Sequence, residues 1–243
     1  NKMQKRLDVY LSENNTVKSR SLAASLIKQG SVEVNGRICT KASFAVDEND
    51  NIRIIGEMPK YVGRGGLKLE KALSHYRLHL DGSVCIDIGA STGGFTDCML
   101  QNGAVKVYSV DVGTDQLDEK LRNDPRVVSM EKTDIRNCVG ALPAVDFIGI
   151  DVSFISLKLV LPSAYALLKD GGECVALIKP QFEAGKSHLS KHGIVRDSKV
   201  HKKVCDDISE FASTLGFERG EVISSPITGG DGNTEYLIYL RRL

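Results

Sequence analysis

The sequence predicts an α/β fold built on a doubly wound, mainly parallel sheet, with a smaller α+β unit in front of it. Two observations lead to this prediction. From about residue 80 onward, short apolar runs of strand length alternate with amphipathic segments of helical period, and such βαβ alternation calls for parallel strands joined by right-handed crossovers. Residues 1–41 instead hold eight Lys or Arg against three Asp or Glu, in a helix and hairpin pattern. The chain therefore divides into two parts of different character.

Composition narrows the class of protein. With 243 residues the chain can form one large domain, or one medium and one small domain. No apolar run approaches the roughly 20 residues of a membrane span. The six cysteines are scattered and include no C-x-x-C pair, which is typical of reduced core residues. His75 and His79 have the i,i+4 spacing of metal ligands but no obvious third ligand. We therefore expect a cytoplasmic protein without a membrane span, a disulfide framework or a metal site.

The N-terminal part has the pattern of a compact helix and hairpin. Residues 19–30 carry apolar side chains at helical spacing and end at Gly30, a plausible helix C-cap. Asn35-Gly36 is a hairpin turn signal between two short strand-like runs, and a further strand is predicted over residues 46–54. We expect this domain to span residues 1–56, followed by a glycine-containing linker at 57–66.

The basic side chains of the N-terminal part are expected to lie on its polar face. A compact unit with one basic face suits phosphate backbones, because nucleic-acid affinity is mainly electrostatic. For a bare cluster of charges, a solvated surface is the alternative. The candidate RNA-binding residues are Arg6, Lys18, Arg20, Lys28, Arg37, Lys41 and, in the linker, Arg64.

The second domain, predicted over residues 67–243, contains the sheet. An amphipathic helix over residues 67–78 is expected to cover its edge. The predicted strands lie near 84–88, 106–110, 127–130, 146–150, 173–178, 217–223 and 235–241, and the predicted helices near 94–102, 115–122, 156–168 and 197–214. The close spacing of the last two strands indicates a terminal antiparallel hairpin.

Residues 84–95, Val-Cys-Ile-Asp-Ile-Gly-Ala-Ser-Thr-Gly-Gly-Phe, join a strand to a helix through a turn of small residues. Glycines permit positive φ and close approach of a ligand, and the helix offers unpaired N–H groups. The dinucleotide fingerprint G-x-G-x-x-G is not met, because Ser91 replaces its second glycine. Asp87 suits a cationic group better than a pyrophosphate, and Asp111, which ends the next strand, suits a ribose hydroxyl. The alternative is that the glycines of this turn serve only packing.

Charged residues also stand where other predicted strands end or begin. Asp151 and Lys179 each follow an apolar run, Glu235 opens the last strand, and Lys68 lies on the helix before the sheet. Ligands of open α/β sheets bind outside the carboxyl ends of the strands, so these side chains are candidates for catalysis. A lysine there is readily shifted toward its neutral form by partial burial and a second cation, which fits it to act as a base. Buried ion pairing is the alternative.

Several motifs carry a resemblance to known families. Arg6-Leu-Asp-x-x-Leu and Ser19-Arg-x-x-Ala-x-x-Leu-Ile resemble an S4 RNA-binding domain. The turn from Asp87 to Gly94, together with Asp111, resembles the cofactor motifs of class I S-adenosylmethionine methyltransferases. The whole chain resembles the TlyA (hemolysin A) family, in which an S4 domain is fused to an FtsJ-type methyltransferase domain. The further matching segments are Arg64-Gly-Gly-Leu-Lys-Leu69, Asp151-Val-Ser-Phe-Ile-Ser156, Lys179-Pro-Gln-Phe-Glu183 and Gly232-Asn-Thr-Glu-Tyr236.

This resemblance implies a fold, a cofactor and a reaction. The fold is a Rossmann-like class I methyltransferase sheet, mainly parallel with an antiparallel last strand, and the cofactor is S-adenosylmethionine. The implied reaction is 2′-O-methylation by the tetrad Lys68, Asp151, Lys179 and Glu235, with Lys179 as general base and the two acids holding the lysines. The residues implied for the cofactor are Asp87, Gly89, Ser91, Gly93, Gly94, Asp111, Asp134 and Asp151. For Asp134, a simple helix cap is the alternative.

The implied partners are ribosomal RNA or ribosomal subunits, with cytidine as the methylated nucleoside. Two other functions remain open. One is a non-catalytic RNA-binding factor for ribosome assembly that has kept a cofactor fold, against which an intact tetrad argues. The other is a membrane-active hemolysin, but the sequence has no amphipathic stretch with the large apolar face and cationic rim that this role requires.

Overall fold

The computed structural model describes residues 3–56 and 58–243. Two short 3₁₀ helices, Ile135–Asn137 and Lys186–His188, accompany the regular elements. The strands are β1 (Lys5–Arg6), β2 (Val32–Val34), β3 (Arg37–Ile38), β4 (Ala45–Val46), β5 (Ile52–Ile54), β6 (Val84–Ile88), β7 (Lys106–Val110), β8 (Val127–Met130), β9 (Val145–Ile150), β10 (Leu168–Ile178), β11 (Phe217–Ser224) and β12 (Tyr236–Arg242). The α-helices are α1 (Leu7–Glu13), α2 (Arg20–Lys28), α3 (Gly65–His75), α4 (Gly94–Gln101), α5 (Glu119–Arg122), α6 (Leu157–Leu167), α7 (Pro180–Glu183) and α8 (Ser198–Thr214).

The second domain is built on one seven-stranded sheet. Its strands lie in the order β8-β7-β6-β9-β10-β12-β11. The contacts among β8, β7, β6, β9 and β10 are parallel, whereas β12 runs antiparallel to both β10 and β11. This arrangement confirms the predicted mainly parallel sheet with an antiparallel last strand. It also inserts β12 between β10 and β11, an order that the spacing of the strands along the chain does not reveal.

Both faces of this sheet are covered. Side chains alternate between the faces along each strand, so Phe147 of β9 packs in a cluster with α3 and α4, whereas its neighbour Ile148 packs in a cluster with α6 and α8. Parallel strands require such cover, because helices return over both faces. Near-continuous apolar runs such as the one in β9 follow from this double burial.

The N-terminal domain has its own core. Helices α1 and α2 pack over the small sheet β3-β2-β5, and β1 pairs with β4. Asn35 and Gly36 both have positive φ, 51° and 81°, as a two-residue hairpin turn of type I′ demands. The single strand predicted over residues 46–54 is wrong. The Asp47 N–H donates to the Asp50 side chain at 2.8 Å and closes a turn, so that β4 and β5 join different sheets.

Residues 60–66 of the linker lie against the second domain. Tyr61 is 4 % exposed and packs beside Gly66. The Val62 N–H donates to Asp97 Oδ2 at 3.0 Å, and the Gln101 side chain donates to the Lys60 carbonyl at 2.9 Å. This packing places the linker beside α4, the helix that follows the glycine turn. Within the described residues, no helix combines the length and apolar character needed to cross a membrane.

Candidate active site

A cavity of about 360 Å³ opens at the carboxyl edge of the sheet. Loops after β6, β7, β8 and β9 surround it, as expected for a ligand site in an open α/β sheet. It brings together five of the residues predicted to bind a cofactor. These are Gly89, Ser91, Asp111, Asp134 and Asp151.

The glycine turn contains three residues with positive φ, Gly89, Ser91 and Gly93. Gly89 has a φ of 83°, and a Cβ there would collide with the Asp151 carbonyl, so only glycine fits. Ser91 also lies in the left-handed region, with a φ of 50°. Its N–H donates to Asp111 Oδ2 at 2.7 Å, while the Gly113 N–H donates to Asp111 Oδ1 at 2.7 Å. The Asp111 carboxylate is therefore held in place between two loops that line the cavity.

Gly93 and Gly94 do not line the cavity. A Cβ on Gly93 would collide with Leu121, and one on Gly94 would lie 2.7 Å from the Gly66 nitrogen. Because Gly93 has no side chain, the segment around α5 can approach the turn. Because Gly94 has none, the linker can approach it. The structure thus places these two predicted residues behind the turn, where they support its shape.

Asp87 lies at the end of β6 and is fully buried. Its Oδ2 accepts hydrogen bonds from the Thr96 N–H at 3.0 Å and from the Thr96 hydroxyl at 2.7 Å, whereas Oδ1 has no hydrogen-bond partner among the described residues. Burial raises the pKa of Asp87 to about 7, with Asp151 and Asp111 adding to the rise and Thr96 opposing it. A buried carboxylate with an unpaired oxygen, beside a cavity lined by further acids, suits a cationic ligand.

Asp134 caps a helix, which is the alternative role predicted for it. Its side chain caps the 3₁₀ helix by accepting from the Arg136 N–H at 2.9 Å, and its two oxygens accept from the Arg136 guanidinium. These hydrogen bonds hold the pKa of Asp134 below its usual range. The residue also lines the cavity, so the cap does not remove it from the neighbourhood of a ligand.

The four predicted catalytic residues form two ion pairs, of which Lys68–Glu235 is buried and Lys179–Asp151 is partly buried. Lys179 Nζ lies 2.6 Å from Asp151 Oδ1 and 3.2 Å from the Ser153 hydroxyl. Lys68 Nζ lies 2.6 Å from Glu235 Oε1. Both lysines and Glu235 are at most 8 % exposed. The Lys179 pair opens on the cavity through Asp151, which lines it.

Gln181 extends the Lys68–Glu235 pair. Its amide nitrogen lies 3.5 Å from Glu235 Oε2 and 3.4 Å from Asp231 Oδ2. Burial raises the pKa of Asp231, but hydrogen bonds from Asn233 and the charge of Lys179 outweigh it and leave that pKa below its usual range. Asp231 is therefore a third carboxylate near the two lysines. Sequence reasoning missed Asp231 and Gln181, although each stands within four residues of a predicted catalytic position.

Phe154 is a further residue that sequence reasoning missed. Its side chain is 90 % exposed, its φ is 62°, and it lines the cavity. Its ring centroid lies 4.8 Å from that of Phe182, and Lys179 Nζ lies 6.0 Å from the Phe182 centroid. Positive φ is unusual for a bulky residue, and such strain clusters at functional sites. The available signal was an aromatic residue three positions after Asp151, just beyond a strand end.

The candidate RNA-binding residues are exposed on the N-terminal domain and linker. Two of them are organised by Asp8, which is 3 % exposed. Its carboxylate accepts two hydrogen bonds from the Arg6 guanidinium, at 3.0 and 3.1 Å, and one from Arg20 at 3.3 Å. Burial raises the pKa of Asp8, but these hydrogen bonds outweigh it and lower that pKa. Arg64 donates to the Thr228 carbonyl at 3.1 Å and so joins the linker to the loop before β12.

The described part of the chain contains no group of three or more side chains arranged to hold a metal ion. His75, half of the weak metal pattern, is paired with Glu221 instead.

Two protein families match the chain. The FtsJ-like methyltransferase family matches residues 61–242, and the S4 domain family matches residues 5–52. Together they account for both domains. The exact limits that we expect for the domains and linker stay a prediction.

Relatives match nearly the whole chain. A Bacillus subtilis (strain 168) protein named as a candidate rRNA methyltransferase, YqxC, is 47 % identical over 98 % of this chain and 85 % of its own length. The 16S/23S rRNA (cytidine-2′-O)-methyltransferase TlyA of Mycobacterium tuberculosis is 38 % identical over 97 % of this chain and 89 % of its own length. A solved structure described as a candidate hemolysin, from Streptococcus thermophilus, is 45 % identical over 98 % of this chain and 88 % of its own, with a TM-score of 0.76.

Proposed function

The chain belongs to the FtsJ-like methyltransferase family and carries an S4 domain, and from this premise we propose that it methylates a ribose 2′-hydroxyl of ribosomal RNA with S-adenosylmethionine as the methyl donor. The observation that carries this proposal is the arrangement of Lys68, Asp151, Lys179 and Glu235 as two ion pairs, one buried and one that opens on the cavity. The relatives named as rRNA (cytidine-2′-O)-methyltransferases support cytidine as the substrate nucleoside.

The cavity fits S-adenosylmethionine. Asp111 presents two fixed carboxylate oxygens for ribose hydroxyls, and the apolar side chains of Val112 and Ile135 line the same wall for a flat base. Asp151, which lines the cavity, and Asp87, which is buried beside it, offer negative charge for the methionine ammonium and the sulfonium. When bound there, S-adenosylmethionine supplies an electrophilic methyl group.

The acceptor must lose a proton to a group of the protein. A ribose 2′-hydroxyl is a very weak acid, so its proton transfer needs a positioned base. Lys179 first gives up one proton to solvent, its amine then accepts the proton of the 2′-hydroxyl, and the ammonium that forms again is stabilised by Asp151 at 2.6 Å. Lys68, held by Glu235, offers a positive charge to the oxygen that develops negative charge.

The RNA approaches across two surfaces. The exposed ring of Phe154 stands at the rim of the cavity and offers a face on which an unstacked base can stack, an interaction common to single-stranded recognition. The paired guanidinium groups of Arg6 and Arg20 suit backbone phosphates. We place the reaction on ribosomal RNA or a ribosomal subunit, and hence in the cytoplasm.

Replacement of Lys179 tests this function. Lys179→Ala should lower the rate of rRNA methylation by roughly 10²- to 10⁴-fold, the usual contribution of a positioned base, and should leave S-adenosylmethionine binding intact. Methyl transfer from labelled cofactor to rRNA, together with calorimetric titration of the cofactor, makes the measurement. Lys158→Ala, at an exposed lysine near the start of α6, is the control. Near-wild-type methylation by Lys179→Ala would rule out this mechanism.

The wild-type protein separates the enzyme from the assembly factor. If it bound both S-adenosylmethionine and rRNA but transferred no methyl group, a non-catalytic role in ribosome assembly would replace the proposed function. Ribose methylation mapped by mass spectrometry, in rRNA from cells with and without the gene, would identify the nucleotide.

A further inference from the structure

A buried hydrogen bond joins the two domains. The Ser19 hydroxyl donates to Asp118 Oδ2 at 2.9 Å, across 99 residues of sequence. Ser19 is 6 % exposed and Asp118 is 2 % exposed. Ser19 belongs to the S4 domain and Asp118 to the methyltransferase domain, so water is excluded from a polar contact between two separately folded cores.

Each of these residues also begins a helix of its own domain. The Ser19 hydroxyl accepts a hydrogen bond from the Leu22 N–H at 3.1 Å at the start of α2, and Asp118 Oδ1 accepts one from the Lys120 N–H at 2.9 Å at the start of α5. Ser19 has one hydroxyl proton, and the structure directs it to Asp118. After capping, Ser19 still has its hydroxyl proton and Asp118 still has Oδ2, and these two groups bond to each other between the domains.

The contact lies between the basic surface and the cofactor turn. The Asp118 N–H donates to the Thr92 carbonyl at 3.0 Å, inside the glycine turn, and Leu121, three residues on, packs against Gly93. On the other side, Arg20 follows Ser19 directly and is held by Asp8. A short path of covalent and hydrogen bonds through Ser19 and Asp118 therefore connects Arg20, a candidate phosphate-binding residue, with the turn that lines the cavity.

We propose that Ser19 and Asp118 are positioning residues, which dock the S4 domain on the methyltransferase domain and so set the distance between the bound RNA phosphates and Lys179. Only about five residues, 55–59, separate β5 from the packed part of the linker, and a random-coil segment of that length spans roughly 12 Å, several times the rise per nucleotide of a nucleic-acid helix. Docking removes this freedom and selects which ribose reaches the base. This inference rests on the proposed function.

Ser19→Asp separates docking from helix capping. Aspartate is as good an N-cap as serine, so α2 keeps its cap, but the donor is lost and a second carboxylate faces Asp118 in a buried contact. We expect the kcat/KM for rRNA to fall roughly tenfold or more, the equivalent of a lost charged hydrogen bond, while the Kd for S-adenosylmethionine stays unchanged. Small-angle X-ray scattering of the full chain should show a broader range of interdomain distances.

Two further variants act as controls. Ser19→Thr keeps both the cap and the hydroxyl donor and should scatter and methylate like the wild type. Combining Ser19→Asp with Asp118→Asn supplies an amide donor opposite the new carboxylate and leaves a carbonyl oxygen to cap α5, so docking and activity should both recover. A merely structural loss at position 19 would not be repaired by a change at position 118.

The outcomes are distinct. Compact scattering and full rRNA methylation by Ser19→Asp would overturn the docking proposal, as would failure of the combined variant to recover. Scattering and its recovery do not depend on methyl transfer. Consequently, a wild-type protein without methyltransferase activity would overturn the proposed function, while the scattering of the same variants would still decide whether these residues dock the domains.

Discussion

Replacement of Asp87 by asparagine should stabilise the cofactor-free protein at pH 8 and weaken its binding of S-adenosylmethionine. The side-chain carbonyl of asparagine can still accept both hydrogen bonds that Thr96 donates to Asp87. The change therefore removes mainly the buried negative charge. Opposite effects on stability and binding are expected because this charge is unfavourable until a cationic ligand arrives.

The magnitude follows from the pKa of Asp87. Burial raises it from 3.8 to about 7, so the folded state holds the proton more tightly than the unfolded chain does. Stability is then lost as pH rises through this window, and the full cost is about 4 kcal/mol at 1.36 kcal/mol per pKa unit. Between pH 5 and pH 8 the cost grows by about 3 kcal/mol. An unpaired amide in place of Oδ1 costs about 1–3 kcal/mol at every pH, which leaves a net gain near pH 8.

Urea unfolding of the wild type and Asp87→Asn at pH 5 and pH 8 measures this difference, and calorimetric titration at pH 8 measures the cofactor Kd. We expect the variant to gain relative stability from pH 5 to pH 8 and to bind S-adenosylmethionine at least about tenfold more weakly, since an opposite charge at close range favours the ionised carboxylate by one or more pKa units. A stability difference that is the same at both pH values would refute the reasoning. Asp111→Asn, at a partly exposed acid that lines the cavity, is the control for loss of charge alone.

Two further predictions concern the RNA. Phe154→Ala should lower the kcat/KM for rRNA by roughly 5- to 100-fold, the value of stacking one base, whereas Phe154→Tyr should keep the wild-type kcat/KM. An equal loss in S-adenosylhomocysteine affinity would show that the ring serves the cofactor instead. Asp8→Asn should weaken rRNA binding in a filter assay severalfold, although the net charge becomes more positive, because Arg6 and Arg20 lose their common ionised partner. Tighter binding would show that net charge matters more than the orientation of these two guanidinium groups. Glu33→Gln, which breaks the exposed pair with Arg53, is the matched control.

Most elements of the fold were predictable from local patterns. The strand predicted near 84–88 and the one near 106–110 have the observed limits, because a short apolar run between turn residues is an unambiguous signal. The helix predicted over 67–78 instead spans Gly65–His75, and Arg77 just after it has a positive φ of 56°. The strand predicted over 46–54 failed because the turn made by Asp47 and Asp50 was not recognised.

The candidate site was predictable in its residue types but not in its pairings. Charged residues at strand ends pointed to Asp151 and Lys179, because the carboxyl ends of parallel strands meet at one edge. The partner of each lysine was not predictable, since Lys68 and Glu235 are separated by 167 residues and meet only after the sheet forms. Asp231 and Gln181 were missed for the same reason.

The sequence by itself determined the two-domain order, the alternation of strands and helices, the glycine turn and the residues available for catalysis, because periodicity, turn chemistry and motif spacing act over a few neighbouring positions. Only the tertiary structure decided that Asp87 is buried with one oxygen that no described residue pairs, that Phe154 is exposed against Phe182, and that Ser19 meets Asp118. Burial, exposure and pairing depend on which distant segments pack together, and that packing decides both the pKa of a buried carboxylate and the distance between two domains.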